Sequence, residues 1–327
     1  MQLIANQNIT PYFNLAAEEY LLKNTAEEYF MLWQNEPTVV VGCHQHTAAE
    51  VNLMEAEKRG VHVVRRITGG GAVYHDLGNV NFSLVKNITD NAKGVSIYEE
   101  LAHPVLKTLS DLGVKAHLGG RNDIMVGERK ISGCAVHAHR GRILLHGALL
   151  FCTDLNVLST ILTPHTSKFE GKAVQSVAKR VVNVQDLLVN KISVAAFMQR
   201  LEQNIESNRR CKKRTFTQKE QEQIAKLEQE KFSQHDWIFG KIAPQAYSKI
   251  GRTSAGNVEV RLAFDSGKIG RVQLLGDFFA QQPIAGLEQR LQGCVHTPSD
   301  VKKRLREINL QHYIAGIQEQ ELLELFF

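Results

Sequence analysis

The spacing of apolar and polar residues divides the chain into short strands and helices that follow one another closely. Residues 14–24 repeat apolar positions at helical spacing, with Asn14 as the expected N-cap. Residues 80–85 alternate apolar and polar side chains, a pattern typical of a strand. Further strands are predicted at 29–33, 38–42, 61–65 and 143–151, and further helices at 51–59 and 97–112. This alternation of element types indicates an α/β or α+β fold.

The C-terminal part of the chain has its own pattern. A strongly helical connector is predicted at 217–229, where Thr217 and Glu220 have the spacing of a capping box. Two alternating stretches, 257–264 and 269–275, predict a hairpin across a turn at 265–268, and two helices follow near 284–291 and 299–306. A chain of 327 residues is expected to form about two domains. We therefore predict a large domain at 1–244 and a smaller α/β domain at 245–327.

One stretch between two predicted strands is rich in glycine. It reads Arg65-Arg66-Ile67-Thr68-Gly69-Gly70-Gly71-Ala72-Val73-Tyr74. Successive backbone N–H groups in such a loop can bind an anion, and an arginine beside it matches phosphate or carboxylate. A P-loop is excluded because Ala72-Val73 follow the last glycine, and a dinucleotide fingerprint because Tyr74 replaces its final glycine. The residues themselves leave two interpretations open, a phosphate site or a glycine-rich hairpin with solvated arginines.

Several motifs in order along the chain resemble the lipoate–protein ligase A family. They are the segment 65–79, the segment Gly120-Arg121-Asn122-Asp123-Ile124, the segment Arg129-Lys130-Ile131-Ser132-Gly133, the segment His146-Gly147-Ala148-Leu149-Leu150, and Arg290-Leu291-Gln292-Gly293-Cys294. The resemblance covers nearly the whole chain. It implies the mixed-sheet catalytic fold of biotin and lipoate ligases, followed by a small accessory domain.

The resemblance also implies an activity, its cofactors and its site residues. An ATP-dependent ligase of this kind activates lipoate to lipoyl-AMP, with Mg²⁺ at the phosphates, and Lys130 is the implied catalytic residue that contacts the lipoyl carboxylate and the α-phosphate. The residues implied to bind ATP or lipoyl-AMP are Arg66, Gly71, Ala72, Val73, Tyr74 and Lys130. The residues implied in secondary roles are Gly70, Asn79, Asp123 and His146, of which Asp123 could assist Mg²⁺.

The implied acceptors are a lysine on the lipoyl domains of 2-oxoacid dehydrogenase E2 subunits and one on glycine-cleavage H protein. Three alternatives stay open. A lipoyltransferase that uses preformed lipoyl-AMP would share most motifs. A cysteine-dependent octanoyltransferase would use Cys134, but a thioester route needs an accessible thiol of low pKa. A non-catalytic lipoate- or nucleotide-binding protein would also keep the motifs.

Three positions depart from the family pattern. Cys43 and Ala178 stand where relatives commonly have arginine, and His46 stands where they have asparagine. A thiol cannot replace a cationic fork, so Cys43 is not expected to bind an anion as an arginine there would. The pairs His44-x-His46 and His137-x-His139 could hold a metal on one strand face, but no third ligand is placed.

Composition narrows the class of protein. The formal net charge of +5 mildly favours an acidic partner. The basic run 209–214 is interpreted as a solvated connector, because no nucleic-acid module accompanies it, and we expect no nucleic-acid partner. No apolar run reaches the ~20 residues that span a bilayer, and no secretory signal is evident, so we expect no membrane partner. Five scattered cysteines indicate reduced thiols and a cytoplasmic protein.

Overall fold

The computed structural model describes residues 1–88, 97–120, 122–162, 181–209, 211–239, 247–265 and 268–327. Contacts group the chain into two compact units. The first unit comprises Met1–Val40, Ala48–Arg65 and Val73–Ile238, and the second comprises Val41–Thr47, Arg66–Ala72 and Phe239–Phe327. The predicted domain boundary at 244/245 and the departure at Ala178 lie outside the described residues.

The first unit contains a mixed sheet of eight strands and a small sheet of three. The large sheet has the order β11-β1-β2-β6-β10-β9-β8-β7, and the small one β4-β3-β5. Their bounds are β1 Gln2–Ala5, β2 Tyr29–Trp33, β3 Thr38–Val41, β4 His62–Arg65, β5 Val73–His75, β6 Asn79–Asn87, β7 His117–Gly119, β8 Asp123–Val126, β9 Arg129–His139, β10 Arg142–Leu150 and β11 Lys212–Arg214. Strand β1 pairs in parallel with β2 and β11, and the ladder from β2 through β6, β10, β9, β8 and β7 is antiparallel.

The second unit has a three-stranded antiparallel sheet in the order β12-β13-β14. Its strands are β12 Tyr247–Thr253, β13 Gly256–Asp265 and β14 Lys268–Gly276. Its helices are α10 Ala285–Leu291, α11 Pro298–Arg306 and α12 Glu319–Glu324, with a 3₁₀ turn at Leu310–His312. One apolar core, which includes Val258, Leu287 and Phe326, joins this sheet to its helices. The predicted hairpin and the two predicted helices are confirmed, although Ser266 and Gly267 of the turn lie outside the described residues.

Helices of the first unit lie beside its sheets. They are α1 Pro11–Asn24, α2 Thr47–Glu50, α3 Leu53–Lys58, α4 Ile97–Asp111, α5 Leu155–Ile161, α6 Val184–Leu187, α7 Val194–Arg209, α8 Gln218–Leu227 and α9 His235–Phe239, with a π-helical turn at Glu228–Phe232. The capping box of Thr217 and Glu220 is confirmed. The predicted cap at Asn14 is wrong, because α1 begins at Pro11. Asn14 is instead fully buried and donates to the carbonyls of Asn8 and Gln34.

The main apolar core lies on one face of the large sheet. Strands β6 and β10 contribute Phe82, Leu84 and Leu145, and α4 and α7 cover them with residues such as Leu109 and Phe197. These side chains alternate with polar ones that point to the opposite face, as expected for successive residues of a strand. The opposite face carries the candidate chemistry.

Three expectations from composition can be compared with the structure. The basic run ends α7 and continues into β11, where Lys213 pairs with Glu202 and Arg214 pairs with Glu220 at 2.7 Å. Acidic partners within the chain therefore neutralise at least two of its charges. The structure has no disulfide between any of the five cysteines. None of the helices in the described ranges has the length and apolarity needed to cross a bilayer.

Candidate active site

A β-bulge determines where Lys130 points. Ile124 of β8 pairs with Ser132 of β9, but the next residue, Met125, pairs with Lys130, so Ile131 has no partner on β8. One extra residue in a strand shifts the alternation of its side chains by one position. Lys130 therefore shares a face with Gly133 rather than with Ser132, and points away from the main apolar core.

Lys130 lies directly over Gly133 and forms an ion pair. Its ammonium is 2.9 Å from Oδ1 of Asp123, and both side chains are partly exposed. A Cβ atom at position 133 would be 2.7 Å from Nζ of Lys130, so any larger residue there would displace the ammonium. Asp123 pairs with Gly133 in the ladder, which explains why its carboxylate reaches the same point. The structure thus brings together two residues that the sequence singled out, Lys130 and Asp123.

The same face of the sheet carries a buried polar network. Nδ1 of His146 lies 2.9 Å from Oε1 of Glu18, which also accepts a 2.6 Å hydrogen bond from the Ser83 hydroxyl. The Ser83 hydroxyl in turn accepts a 2.8 Å hydrogen bond from Nε1 of Trp33. His146 pairs with Ser83 in the ladder, and helix α1 supplies Glu18. Sequence analysis singled out His146 alone. The polar positions of the alternating stretch 80–85 were the signal that could have revealed the rest.

The glycine loop connects β4 and β5, as predicted, and belongs to the second compact unit. The Arg66 guanidinium, which is buried, braces the loop from within. Its Nε donates to Oγ1 of Thr68 at 2.8 Å, and its Nη2 donates to the carbonyls of Gly69 and Gly71 at 2.7 and 2.9 Å. Arg66 therefore holds the loop carbonyls inward, a structural task that the sequence did not reveal.

The three glycines meet different requirements. A Cβ atom at Gly69 would lie 2.3 Å from the Phe278 carbonyl oxygen, and Gly70 has φ of +91°, a conformation that favours glycine. At Gly71 nothing within the described residues would obstruct a Cβ atom. Within the described part of the chain, the amides of Gly69, Gly70 and Gly71 donate no hydrogen bond. A loop whose carbonyls are engaged and whose amides are available has the polarity that an anion requires.

The other predicted binding residues differ in how accessible they are. Ala72 and Val73 are half-buried, and Val73 opens β5 by pairing with Val40. Tyr74 is 4% exposed, and burial, followed by the charges of Asp76 and Asp154, raises the pKa of its hydroxyl to about 12.

Asn79, at the start of β6, is fully buried. Its side-chain oxygen accepts hydrogen bonds of 3.0 Å from the Asp76 amide and from the Thr153 hydroxyl. Its contacts therefore hold the turn that leads into β6, and a binding role for it stays a prediction, as it does for Tyr74.

Two histidines near Cys43 have contacts within the second unit, and one of them, His46, departs from the family pattern. Nη2 of Arg261, on β13, lies 2.9 Å from Nδ1 of His46, and the guanidinium also pairs with Glu259 at 2.7 Å. The His44 ring stacks on Phe278 with centroids 4.7 Å apart. Hydrogen bonding of His46 and stacking of His44 thus explain both side chains as parts of the fold. No cluster of three metal-ligating side chains occurs within the described ranges.

Cys134 has the wrong surroundings for a nucleophile. It is 4% exposed, faces the main apolar core, and burial raises its pKa to about 12. The thiolate is the reactive form of cysteine, and an apolar site disfavours it. The geometry therefore argues against the cysteine-dependent octanoyltransferase.

Comparisons with known proteins agree with this arrangement. Residues 10–206 match the family described as lipoyl protein ligase A/B catalytic domain, and residues 245–326 match that described as bacterial lipoate protein ligase C-terminus. Lipoate–protein ligase 1 of Staphylococcus aureus is 36% identical over 99% of both chains. A Bacillus subtilis lipoate-protein ligase is 34% identical over the whole of both chains. The chain belongs to the lipoate–protein ligase family and is a ligase, which confirms the predicted family and enzyme class.

Solved structures confirm the fold class. A bi-partite lipoate protein ligase of Thermoplasma acidophilum, whose structure was analysed with its E2 lipoyl domain, is 30% identical, with a TM-score of 0.67 over 75% of this chain and 98% of that one. A lipoate-protein ligase A bound with ATP is also 30% identical, with a TM-score of 0.64 over 74% and 99%. P. falciparum LipL1 in complex with lipoate has a TM-score of 0.79 over 99% and 97% at 23% identity, which shows the fold alone.

Proposed function

We propose that this ligase uses ATP to convert lipoate to lipoyl-AMP and then transfers the lipoyl group to a lysine of a lipoyl domain. The observation that carries this proposal is the bulge that turns Lys130 away from the apolar core and over Gly133. The related ATP-bound ligase and the Thermoplasma ligase with its E2 lipoyl domain support the choice of nucleotide and acceptor.

The proposed first step joins two anions. The lipoate carboxylate attacks the α-phosphorus of ATP, an acyl–phosphate bond forms, and pyrophosphate leaves. A positioned ammonium offsets the repulsion between the reactants and stabilises the charge that develops in the transition state. Lys130 supplies that ammonium, and Asp123, at 2.9 Å, holds it in place until an anionic substrate arrives.

The proposed second step is acyl transfer. The acceptor amine attacks the lipoyl carbonyl and forms an amide bond, the bond between the carbonyl carbon and the phosphate oxygen breaks to release AMP, and the amine proton passes to solvent. The same ammonium of Lys130 can polarise the carbonyl and stabilise the leaving phosphate. The unpaired amides of Gly70 and Gly71 are the proposed phosphate ligands of the glycine loop, with Arg66 as the brace that keeps them available. Ala72, Val73 and Tyr74 extend this proposed set.

The face around Gly133 suits a narrow acyl chain. One ladder row crosses the sheet from Gly133 to Ala148, Asn81 and Trp33. Paired residues in a ladder project to the same side, so Gly133 and Ala148 form a floor of small residues. We propose that the acyl chain lies along this row, with its carboxylate at Lys130. His146 lies in the adjacent row beside Ala135. Its hydrogen bond to Glu18 orients the ring, which then borders the acyl chain.

Three finer assignments belong to the same proposal. Mg²⁺ would be bound chiefly by the nucleotide phosphates, where it neutralises charge, with the Asp123 carboxylate as the protein oxygen offered to it. Glycine-cleavage H protein would be a second acceptor. The five cysteines, none of which forms a disulfide, support a reducing compartment and hence a cytoplasmic location.

The test is pyrophosphate release on mixing the full chain with ATP, Mg²⁺ and lipoate, followed by addition of an apo lipoyl domain. We expect lipoate-dependent release of pyrophosphate, followed by transfer of the lipoyl group, which increases the mass of the acceptor. Lys130→Ala should lower the rate of release by about 10²–10³-fold. The matched control Lys226→Ala removes a lysine that is 72% exposed and should have no effect.

Two other results would overturn the proposal, and a third would remove one residue from it. Transfer from supplied lipoyl-AMP without any pyrophosphate release would identify a lipoyltransferase. Lipoate or nucleotide binding without turnover would identify a non-catalytic binding protein. Equal rates for Lys130→Ala and the wild-type chain would remove the role assigned to Lys130.

A further inference from the structure

One buried amide on the proposed acyl face has no hydrogen-bond partner. Asn81, in the middle of β6, is 0% exposed, and neither its Oδ1 nor its Nδ2 atom makes a hydrogen bond within the described part of the chain. Buried side-chain amides in folded proteins almost always have a partner. An unsatisfied buried amide marks a place where a water molecule or a ligand can complete the bonding.

The neighbours of Asn81 on the same strand face are bonded. The Ser83 hydroxyl both donates to Glu18 and accepts from Trp33, at 2.6 and 2.8 Å. The Asn79 side-chain oxygen accepts two hydrogen bonds of 3.0 Å, although its Nδ2 atom is also unpaired. Asn81 therefore lacks partners for both of its polar atoms, whereas Asn79, two residues away, lacks one only for Nδ2.

The distance from Lys130 to Asn81 places Asn81 near the far end of the proposed substrate. It lies two strands from Gly133 along one ladder row, with Ala148 between them, which corresponds to about 10 Å. Nζ of Lys130 lies over Gly133. An extended eight-carbon carboxylate held at Lys130 covers a similar span, so its distal carbons reach the neighbourhood of Asn81.

We propose that Asn81 is a specificity-determining residue that favours acyl substrates bearing a hydrogen-bond acceptor near the distal end over plain alkyl chains of equal length. This inference rests on the proposed function. The sulfur atoms of a dithiolane ring are weak acceptors for the Asn81 N–H group. A plain alkyl end leaves the buried amide unpaired, and sites built to hydrogen-bond a substrate reject analogues that lack the bonding group.

Direct binding without ATP tests the proposal separately from catalysis. The affinities of lipoate, octanoate and 8-hydroxyoctanoate for the full chain are measured by calorimetry, for the wild-type chain and for Asn81→Leu. Leucine has a similar shape and no polar atom. The matched control is Asn190→Leu, since Asn190 is exposed. Pyrophosphate release by the wild-type chain is recorded independently, so a failure of the ligase assignment is distinguishable from a failure of this one.

We expect the wild-type chain to bind both heteroatom-bearing ligands more tightly than octanoate. In Asn81→Leu the preference for lipoate over octanoate should fall by about tenfold, mainly through tighter octanoate binding. The preference of Asn190→Leu should match that of the wild-type chain. An unchanged preference in Asn81→Leu, or equal wild-type affinities for lipoate and octanoate, would overturn the proposal.

Thermal unfolding of the ligand-free proteins provides a second readout. If the amide is unpaired until substrate binds, Asn81→Leu removes a desolvation penalty and its melting temperature should equal or exceed that of the wild-type chain. A clearly lower melting temperature would mean that a resident water or another partner already satisfies Asn81. That result would overturn the selectivity argument even if the variant still bound lipoate.

Discussion

The two faces of strand β6 are equally buried but chemically opposite. Val80, Phe82 and Leu84 point into the main apolar core, whereas Asn81 and Ser83 point to the other side and are equally inaccessible. Exposure therefore does not distinguish the faces. The difference lies in how each side chain is satisfied, by packing on one face and by hydrogen bonds or their absence on the other.

This contrast separates stability from chemistry within one strand. On the core face, Phe82 fills the space left by Gly147, where an added Cβ atom would be 2.4 Å from its ring. On the opposite face, His146 and Ser83 share the Glu18 carboxylate. We expect substitutions on the first face to act on folding and substitutions on the second to act on binding or on local order.

The largest effect is expected on the core face. Phe82→Ala should lower the free energy of unfolding by about 3–5 kcal/mol, because it removes a fully buried ring and leaves a cavity. Urea denaturation followed by circular dichroism measures this loss. Below the unfolding transition, the lipoate affinity of the variant should remain near that of the wild-type chain. A large loss of affinity with unchanged stability would break the distinction between the faces.

A smaller effect is expected from the polar network. Glu18→Gln keeps the shape of the side chain but removes the charge that accepts from Ser83 and His146, so it should lower stability by about 1–3 kcal/mol. The same change should slow pyrophosphate release, because a neutral amide holds the ring of His146 less firmly than the carboxylate does. The exposed Glu57→Gln is the matched control in both assays. If both variants had the same stability and the same rate of pyrophosphate release, the network would contribute to neither property.

A pH-dependent effect should arise farther along the same face. Burial, followed by the charge of Lys23, lowers the pKa of His137 from 6.5 to about 4. Between these values the unfolded chain binds more protons than the folded one, so stability is retained above about pH 6.5 and lost as the pH falls towards 4.

His137→Gln should reduce this acid-dependent loss of stability. The measurement is the melting temperature at intervals from about pH 7 to 4, the range that contains both pKa values. His139→Gln should change the profile less, because that ring is more accessible, although its pKa is also lowered. An acid profile unaltered by His137→Gln would contradict this account.

The smallest effect is expected at Cys134. Its thiol faces the apolar core with a raised pKa, so Cys134→Ser should leave the rate of ligation within about twofold of the wild-type rate while it slightly lowers stability. Acceptor lipoylation measured by mass spectrometry is the appropriate assay. Loss of all turnover in a folded variant would reopen the thioester route.

Local patterns predicted much of the fold. The strand at 29–33, the hairpin of the second unit and the capping box at Thr217 all follow from signals within a few residues of each other. The helix start at Pro11 was missed because Asn14, a good capping residue, is used instead to bond the carbonyls of Asn8 and, twenty residues away, Gln34. Tertiary hydrogen bonds in this case outweighed a local preference.

The sequence by itself predicted many of the strands and helices, identified the family, and singled out Lys130 and the glycine loop for the proposed chemistry, because periodicity and motifs are local properties. Only the tertiary structure decided which face each residue occupies. The bulge at Ile131 reversed the side of Lys130, and strand pairing placed Asn81 and Ala148 in the same row as Gly133. Such pairings join segments distant in the chain, so no short stretch of sequence encodes them.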